Sequence, residues 1–337
     1  MVNYELFWYN QSMKTSKKII AYILSKGEAS AFELTNYLGI SSRAVFKQLK
    51  NLVNNGKLIK KGAPPRVYYM VSEVPVFVND SPQIPDNIEY PIIEEHFFHI
   101  TPTGKIEQGF DGFVKWCEKR NLPLEKSAQD YKSILQKYKK YFNEFGLIDG
   151  MKKFKSSFAE VFLNEVYYLD FYSIERFGKT KLGQKLLYAK QSQNKKLISD
   201  ISDEVNARIK NFIKTKKVDA VGFIPPTVKR ETQFIKEFAR SLNLKLPQVK
   251  IVKVGNEVSV PQKTLSKLED RIENAKSTIV VDDQRSFNIV LIIDDAIGSG
   301  ATLNETAKSL KQKGIAKKVL GVSVTGSFKG FDVISEV

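Results

Sequence analysis

Cysteine, histidine and long apolar runs are scarce in this chain of 337 residues, which has one cysteine and two histidines. A single cysteine cannot form an intramolecular disulfide, and these residues are too few for a cysteine-rich or histidine-rich metal centre. No apolar run approaches the roughly 20 residues that span a bilayer. The amino terminus also lacks a basic segment followed by a long apolar core. We therefore expect a cytoplasmic protein that does not associate with a membrane.

Acidic residues are outnumbered by basic ones, 37 against 53, so the net charge is +16. A strongly basic balance favours a polyanionic partner, most often nucleic acid, although charge can also serve solubility alone. The apolar fraction of 42% is enough for a sizeable core. The length allows two or three domains.

Residues 1–72 are predicted to form a first domain with three helices and a β-hairpin. The predicted helices cover about 15–25, 31–38 and 43–54, and the predicted strands cover 58–59 and 67–70. This order is similar to a winged helix-turn-helix, in which the third helix enters the major groove of DNA and the hairpin contacts the backbone. Winged helices also mediate dimerisation or protein contact, and that alternative stays open.

The charge of this first domain favours nucleic acid, because it holds 11 basic and three acidic residues. Apolar positions on the third helix are predicted to pack inward, namely Val45, Leu49, Leu52 and Val53. The predicted DNA-binding residues are Ser42, Arg43, Lys47 and Lys50 on the third helix, and Lys60, Lys61 and Arg66 on the hairpin. We expect Ser42, Arg43 and Lys47 to reach base edges and the hairpin residues to contact phosphates.

Two regions with a different composition follow. Residues 73–100 are acidic and rich in proline, which is typical of a linker, with short strands expected at 76–78 and 96–100. Residues 101–165 are predicted to be helical, and aromatic and basic residues alternate over 131–145. Such a stripe could bind single-stranded nucleic acid or form a core face with a solvated basic side.

The segment 289–302 carries the strongest functional signal. An apolar strand, 289–293, precedes Asp294 and Asp295, and a loop of small residues then leads to a helix predicted to open at Asn304. Strands alternate with helices over 166–337, which predicts an α/β domain with a doubly wound parallel sheet. Ligands of such sheets bind at the carboxyl ends of the strands. The loop amides and the helix dipole can hold a phosphate, and the acids can hold ribose hydroxyls or Mg²⁺.

This segment resembles the 5-phosphoribosyl-1-pyrophosphate (PRPP) motif of type I phosphoribosyltransferases, an apolar strand followed by Asp-Asp-x-x-Thr-Thr-Gly-x-Thr. The predicted phosphate-binding residues are Gly298, Ser299, Gly300, Ala301 and Thr302. Gly298 stands where the family usually has threonine, so one hydroxyl donor is missing while the backbone donors remain. An ordinary strand–turn–helix of an α/β sheet is the alternative.

Two further segments are similar to the ComF-type branch of that superfamily. The proline-rich turn 225–231 contains Lys229 and Arg230, which could bind a pyrophosphate. Residues 255–287 lack a strong regular pattern and are predicted to form a lid. The lid residues expected from the resemblance are Gln262, Arg271 and Asn274. Each arginine could equally form a surface salt bridge.

The resemblance implies binding of PRPP or a related nucleotide with Mg²⁺, held by Asp294 and Asp295 directly or through the ligand. Three hypotheses follow. The protein is a phosphoribosyltransferase or a nucleotide-cleaving relative brought to nucleic acid, or a regulator that only senses the ligand, as in the purine-operon repressors. The third is a toxic effector of a retron-like phage-defence system, which rests on similar architecture. We expect a homodimer or a part of a larger nucleoprotein complex.

Overall fold

The computed structural model describes residues 14–72, 90–226, 228, 230–255 and 260–327. Its contacts divide the chain into two compact units, Met1–Ile84 and Pro85–Val337. No helix within the described residues is long and apolar enough to cross a membrane.

The first unit has three helices and a small antiparallel sheet. The helices are α1 (Thr15–Lys26), α2 (Ala31–Leu38) and α3 (Ser42–Asn54). The strands are β1 (Glu28–Ser30), β2 (Leu58–Ala63) and β3 (Arg66–Val71), in the order β1-β3-β2. All three predicted helices and both predicted strands are present, whereas the three-residue β1 is too short to leave a pattern.

Local sequence signals explain where these helices begin and end. Ser30 caps α2 in a capping box, because its hydroxyl accepts from the Glu33 amide and the Glu33 carboxylate accepts from the Ser30 amide. Ser41 caps α3 by accepting from the Ala44 amide. The predicted inward face of α3 is confirmed, since three of its residues are buried and the fourth packs against the core, namely Val45, Leu49, Leu52 and Val53.

The second unit is mixed α/β. Its helices are α4 (Tyr90–His96), α5 (Gly109–Glu118), α6 (Leu124–Lys139), α7 (Met151–Ser157), α8 (Lys181–Gln191), α9 (Lys195–Lys216), α10 (Phe234–Leu242), α11 (Leu268–Thr278) and α12 (Ala301–Gln312). Its strands are β4 (Phe98–Ile100), β5 (Ile106–Gln108), β6 (Ile148–Asp149), β7 (Glu165–Phe171), β8 (Ser173–Ile174), β9 (Gly178–Lys179), β10 (Ala220–Phe223), β11 (Gln248–Val249), β12 (Ile251–Lys253), β13 (Ile279–Val281), β14 (Phe287–Ile297) and β15 (Ala316–Gly326).

Six strands form the central sheet in the order β11-β10-β14-β15-β7-β6. All neighbours pair in parallel except β6, which is antiparallel to β7. The expected α/β class with a mostly parallel sheet is therefore confirmed. β14 lies between β10 and β15, so its apolar run is covered on both faces. Val290 and Ile292 face one core cluster, while Leu291 and Ile293 face another.

Helices pack on both faces of this sheet. The first cluster includes residues of α5, α6, α7 and α12, and the second includes residues of α8, α9 and α10. Residues 101–165 lie outside the predicted α/β domain 166–337, yet Phe113, Tyr131 and Tyr138 share a buried cluster with Ile292. The aromatic stripe on α6 is therefore a core face, and the helix ends at Lys139 rather than continuing to 145.

The predicted linker 73–100 also belongs partly to this unit. Residues 73–89, with the strand expected at 76–78, lie outside the described residues. Residues 90–100 form α4 and β4, and Phe97, Phe98 and Ile100 are buried. The strand expected over 96–100 begins only at Phe98, because α4 continues as far as His96.

Candidate ligand-binding cavity

Asp294 and Asp295 lie inside the central sheet rather than beyond a strand end. β14 continues to Ile297, because Asp294, Ala296 and Ile297 pair with residues 323–326 of β15. The expectation that the strand stops before Asp294 is therefore wrong. The ladder to β15 satisfies the backbone here, and the two carboxylates project from adjacent positions of a rigid strand.

The small-residue loop between β14 and α12 is built around Gly300. This glycine has φ 85° and is the residue before the first turn of α12, which opens at Ala301 rather than at the predicted Asn304. The Ser299 hydroxyl accepts from the Ala301 amide at 3.3 Å. Glycine has no side chain that could cap the first N–H groups of α12. These N–H groups and the positive end of the helix dipole therefore face the loop. This arrangement suits an anion.

A cavity of about 560 Å³ brings most of the predicted site residues together. Its lining includes both aspartates, the whole 298–302 loop, Arg230, Gln262 and Arg271. Lys229 lies outside the described residues. The volume falls within the range of about 300–1,000 Å³ that is usual for small-molecule sites.

From Val260 onward, the predicted lid is a folded segment rather than an irregular one. A short 3₁₀ turn, Gln262–Thr264, packs against α11. The side-chain nitrogen of Gln262, Nε2, donates to the Arg271 backbone carbonyl at 2.9 Å and to the Asn274 side-chain oxygen, Oδ1, at 3.3 Å. The Arg271 Nε donates to the Leu265 carbonyl at 2.7 Å. Arg271 lines the cavity. Asn274 is not part of the cavity lining, and its contact with Gln262 holds the 3₁₀ turn in place.

Lys190 is a cavity residue that sequence reasoning missed. Its ammonium lies 2.8 Å from a carboxylate oxygen of Asp295, and both side chains are largely covered. Lys190 is carried by α8, far from β14 in sequence, and no motif surrounds it. Lys253 of β12 also lines the cavity, and burial lowers its pKa.

The two aspartates differ in their electrostatic environment. Burial, and secondly the neighbouring charge of Asp295, raise the pKa of Asp294 to about 8. The Asp295 amide donates to the Asp294 carboxyl at 2.7 Å, which opposes this shift without reversing it. The shift favours the protonated form of Asp294 near neutral pH, whereas Asp295 is paired with the Lys190 ammonium.

Whether Mg²⁺ fits this site depends on the ligand. Within the described residues, no group of three or more His, Cys, Asp or Glu side chains could hold a metal ion. Mg²⁺ is, however, often bound by one or two carboxylates together with substrate phosphates. Asp294 and Asp295 meet that requirement if a phosphorylated ligand is present, Asp294 loses its proton and Asp295 is released from Lys190.

The predicted DNA-binding residues lie in the first unit. Those on α3 are exposed and follow its solvent face, namely Ser42, Arg43, Lys47 and Lys50. Lys60 and Arg66 are exposed on the β2–β3 hairpin. Lys61 is exposed as well, but its ammonium pairs with Glu28 at 2.9 Å.

No protein-family model matches the sequence, and no curated protein matches it significantly.

Proposed function

We propose that the cavity binds PRPP or a related nucleotide and that the protein transfers or cleaves a phosphoribosyl group. The convergence of an acidic pair, a helix-opening loop and two arginines in one cavity supports this proposal. The loop and the α12 dipole suit a 5′-phosphate, and Arg230 and Arg271 suit a pyrophosphate. The PRPP-motif resemblance of 289–302 agrees with the same arrangement.

The chemistry would need positioning and charge balance more than a strong base, because the C1–O bond breaks through an oxocarbenium-like state. Asp295 and deprotonated Asp294 would hold the ribose hydroxyls and stabilise positive charge on the ring. Arg230 and Arg271 would hold the leaving pyrophosphate. Bound Mg²⁺ would supply further neutralisation of that pyrophosphate. Lys190 would exchange its contact with Asp295 for one with the ligand.

Calorimetric titration of PRPP with Mg²⁺ tests this proposal. We expect saturable binding to the wild type and loss of at least tenfold in affinity for Asp294→Asn/Asp295→Asn, because the ribose contacts are lost. Asp200→Asn/Asp203→Asn is the matched control, since it makes the same two substitutions on α9, outside the cavity lining. Equal affinity of all three proteins, or no binding at all, would contradict the proposal. Release of pyrophosphate would then separate an enzyme from a sensor.

We further propose that the first unit is a winged helix that binds DNA. Three helices and a basic hairpin, with exposed Arg43, Lys47 and Lys50 on the third helix, support this proposal. The presence of such a unit also favours a second candidate function, a regulator whose DNA binding responds to the cavity ligand.

Lys60→Gln/Arg66→Gln should weaken binding to a short mixed-sequence duplex and flatten its salt dependence. Each phosphate contact contributes about 0.9 to the slope of log affinity against log salt, so the slope should fall by roughly 1.8. Lys17→Gln/Lys26→Gln removes the same charge from exposed positions on α1 and should leave the slope unchanged. Fluorescence anisotropy at several salt concentrations measures both. Identical slopes for the two variants would reject the hairpin as a phosphate contact.

A further inference from the structure

A second cavity, of about 240 Å³, lies in the second unit and shares no lining residue with the first. It is enclosed by α4, β4, α5, α6 and the β8–β9 hairpin. Arg120, Arg176 and Lys179 line it, and no carboxylate does so among the described residues. The rest of its lining is mainly aromatic, with two histidines, Gly178 and Gln184. The lining therefore carries three cations, and the Asp130 carboxylate, which pairs with Arg176, offsets part of their positive potential.

Aromatic rings hold these cations in place. The Arg120 guanidinium lies 4.4 Å from the centre of the Trp116 ring and donates to the Trp116 carbonyl at 3.4 Å. The Arg176 guanidinium lies 5.6 Å from the centre of the Phe177 ring. A guanidinium stacked on a ring keeps its in-plane N–H donors available for a planar or tetrahedral anion. The cavity is thus pre-organised for anion recognition.

The backbone at Arg176 is unusual. Its φ of 61° is left-handed, a conformation that costs a non-glycine residue roughly 1–2 kcal/mol. The three-residue turn Glu175–Phe177 is fixed to α6 by two ion pairs, Glu175 with Lys137 at 2.7 Å and Arg176 with Asp130. Glycine would suit this backbone conformation better. The arginine side chain instead connects the turn to α6 through Asp130, and it also lines the cavity.

Two histidines complete the rim. His96 and His99 both line the cavity, and burial lowers the pKa of each. Both imidazoles are therefore neutral at neutral pH, and each retains one N–H donor. The two neutral imidazoles therefore add hydrogen-bond donors to the cavity without adding positive charge.

We propose that this second cavity is a phosphate-binding site. Two arginines, a lysine and neutral imidazole donors are the groups that recognise a phosphate ester. The cavity is smaller than the roughly 300–1,000 Å³ of sites that enclose a whole small molecule, so it holds a phosphate group whose remainder extends outside. The phosphate belongs either to a small phosphorylated compound or to the backbone of a single-stranded nucleic acid.

The chain provides a local reporter, because its two tryptophans are Trp8 and Trp116. In a Trp8→Phe background, emission comes from Trp116 alone, whose ring lies beneath Arg120. We would titrate inorganic phosphate and a single-stranded oligonucleotide into this full-length protein. We expect a saturable change in Trp116 emission with at least one probe.

Arg120→Gln/Arg176→Gly in the same background should abolish that change, with affinity falling at least tenfold. Arg176→Gly relieves the left-handed arginine, which offsets the loss of a partly exposed ion pair with Asp130 and of the contact with the Phe177 ring, so the variant should still fold. Lys126→Gln/Lys210→Gln removes the same charge at exposed positions outside the cavity and should keep the response. Arg120→Gln alone serves as a second variant if the double variant does not fold.

The two probes distinguish the sources of the phosphate. A response to inorganic phosphate that matches or exceeds the oligonucleotide response indicates a small phosphorylated ligand. A response to the oligonucleotide alone, with a salt slope that falls by roughly 1.4 in the double variant, indicates a nucleic-acid backbone. If neither probe changes Trp116 emission, or if the double variant responds like the wild type, the cavity is not a phosphate site.

Discussion

Gly300→Ala should lower the free energy of unfolding by roughly 2–5 kcal/mol, because it combines backbone strain with a steric clash. The φ of 85° is left-handed, so any side chain is strained there. A Cβ at this position would also lie 2.4 Å from the Phe154 ring, which is fully buried beneath the loop. The loop cannot yield without moving the start of α12, so PRPP affinity should fall as well.

Gly314→Ala is the matched control for this prediction. Gly314 follows α12 at its other end and has a φ of 68°, and no described atom lies within 4 Å of the added Cβ. This variant should cost only the backbone strain, roughly 1–2 kcal/mol. Chemical denaturation of both variants measures the difference. An equal cost would show that the close approach to Phe154 is unimportant.

Phe154→Leu provides a second check on the same contact. If the clash with Phe154 dominates, the smaller side chain should recover part of the stability that Gly300→Ala loses. A double-mutant cycle should then give a coupling energy of about 0.5–3 kcal/mol, the range for residues in contact. If the effects of the two substitutions on the free energy of unfolding are additive, the cost of Gly300→Ala comes from backbone strain alone.

The sequence predicts β14 well because its apolar run is long and is buried on both faces. Its end is predicted poorly, because the strand stops where β15 stops pairing with it, at Gly326. That boundary is a property of the partner strand. No pattern within 289–302 reveals that Asp294 and Asp295 are still in the ladder.

Lys190 illustrates a second limit of sequence reasoning. The ion pair with Asp295 joins α8 to β14, and it forms only because α8 packs on the face of the sheet that bears Leu291 and Ile293. A basic residue on an amphipathic helix is usually solvated, so its spacing gives no hint of a cavity. By contrast, Arg230 was predicted from the turn that follows a strand, and Arg271 was expected from the family resemblance; both line the cavity.

The aromatic region 101–165 shows what periodicity can and cannot establish. The spacing of Tyr131 and Tyr138 correctly indicates one buried face on α6. It does not indicate what covers that face, which here is the same cluster that lies against β14. α11 was missed for a related reason, because few of its residues are apolar and its buried Arg271 resembles a surface residue in sequence.

Asp294→Asn should stabilise the protein at pH 9 and change its stability much less at pH 5. The ordinary pKa of the carboxyl is 3.8, whereas the folded protein raises it to about 8. Between these values the folded state keeps a proton that the unfolded state has lost, so wild-type stability falls as pH rises from about 4 to 8. Asparagine does not titrate, so the stability of the variant should not fall with pH in this way. Thermal unfolding at both pH values measures the difference.

The Lys190 ammonium opposes the shift at Asp294, so its removal should enlarge the effect. In Lys190→Met, the pH at which Asp294 loses its proton should move upward, and the stabilisation by Asp294→Asn should continue to grow beyond pH 8. Lys196→Met removes an exposed lysine that pairs with Asp200 on α9, and it should leave the pH profile unchanged. A wild-type profile in Lys190→Met would show that this ammonium does not set the charge of the acidic pair.

The same proton also links pH to ligand binding. If the ionised form of Asp294 holds the ribose hydroxyls, PRPP binding must expel the proton, so wild-type affinity should rise from pH 6 to 8 and level off above the pKa. Asp294→Asn should bind PRPP more weakly, and its affinity should lack the rise that comes from deprotonation of Asp294. Subtracting the pH profile of this variant from that of the wild type removes the contribution of PRPP's own titration. Calorimetry in buffers with different ionisation enthalpies counts the released proton. Identical proton release by the two proteins would mean that Asp294 stays protonated and acts as a hydrogen-bond donor to the ligand.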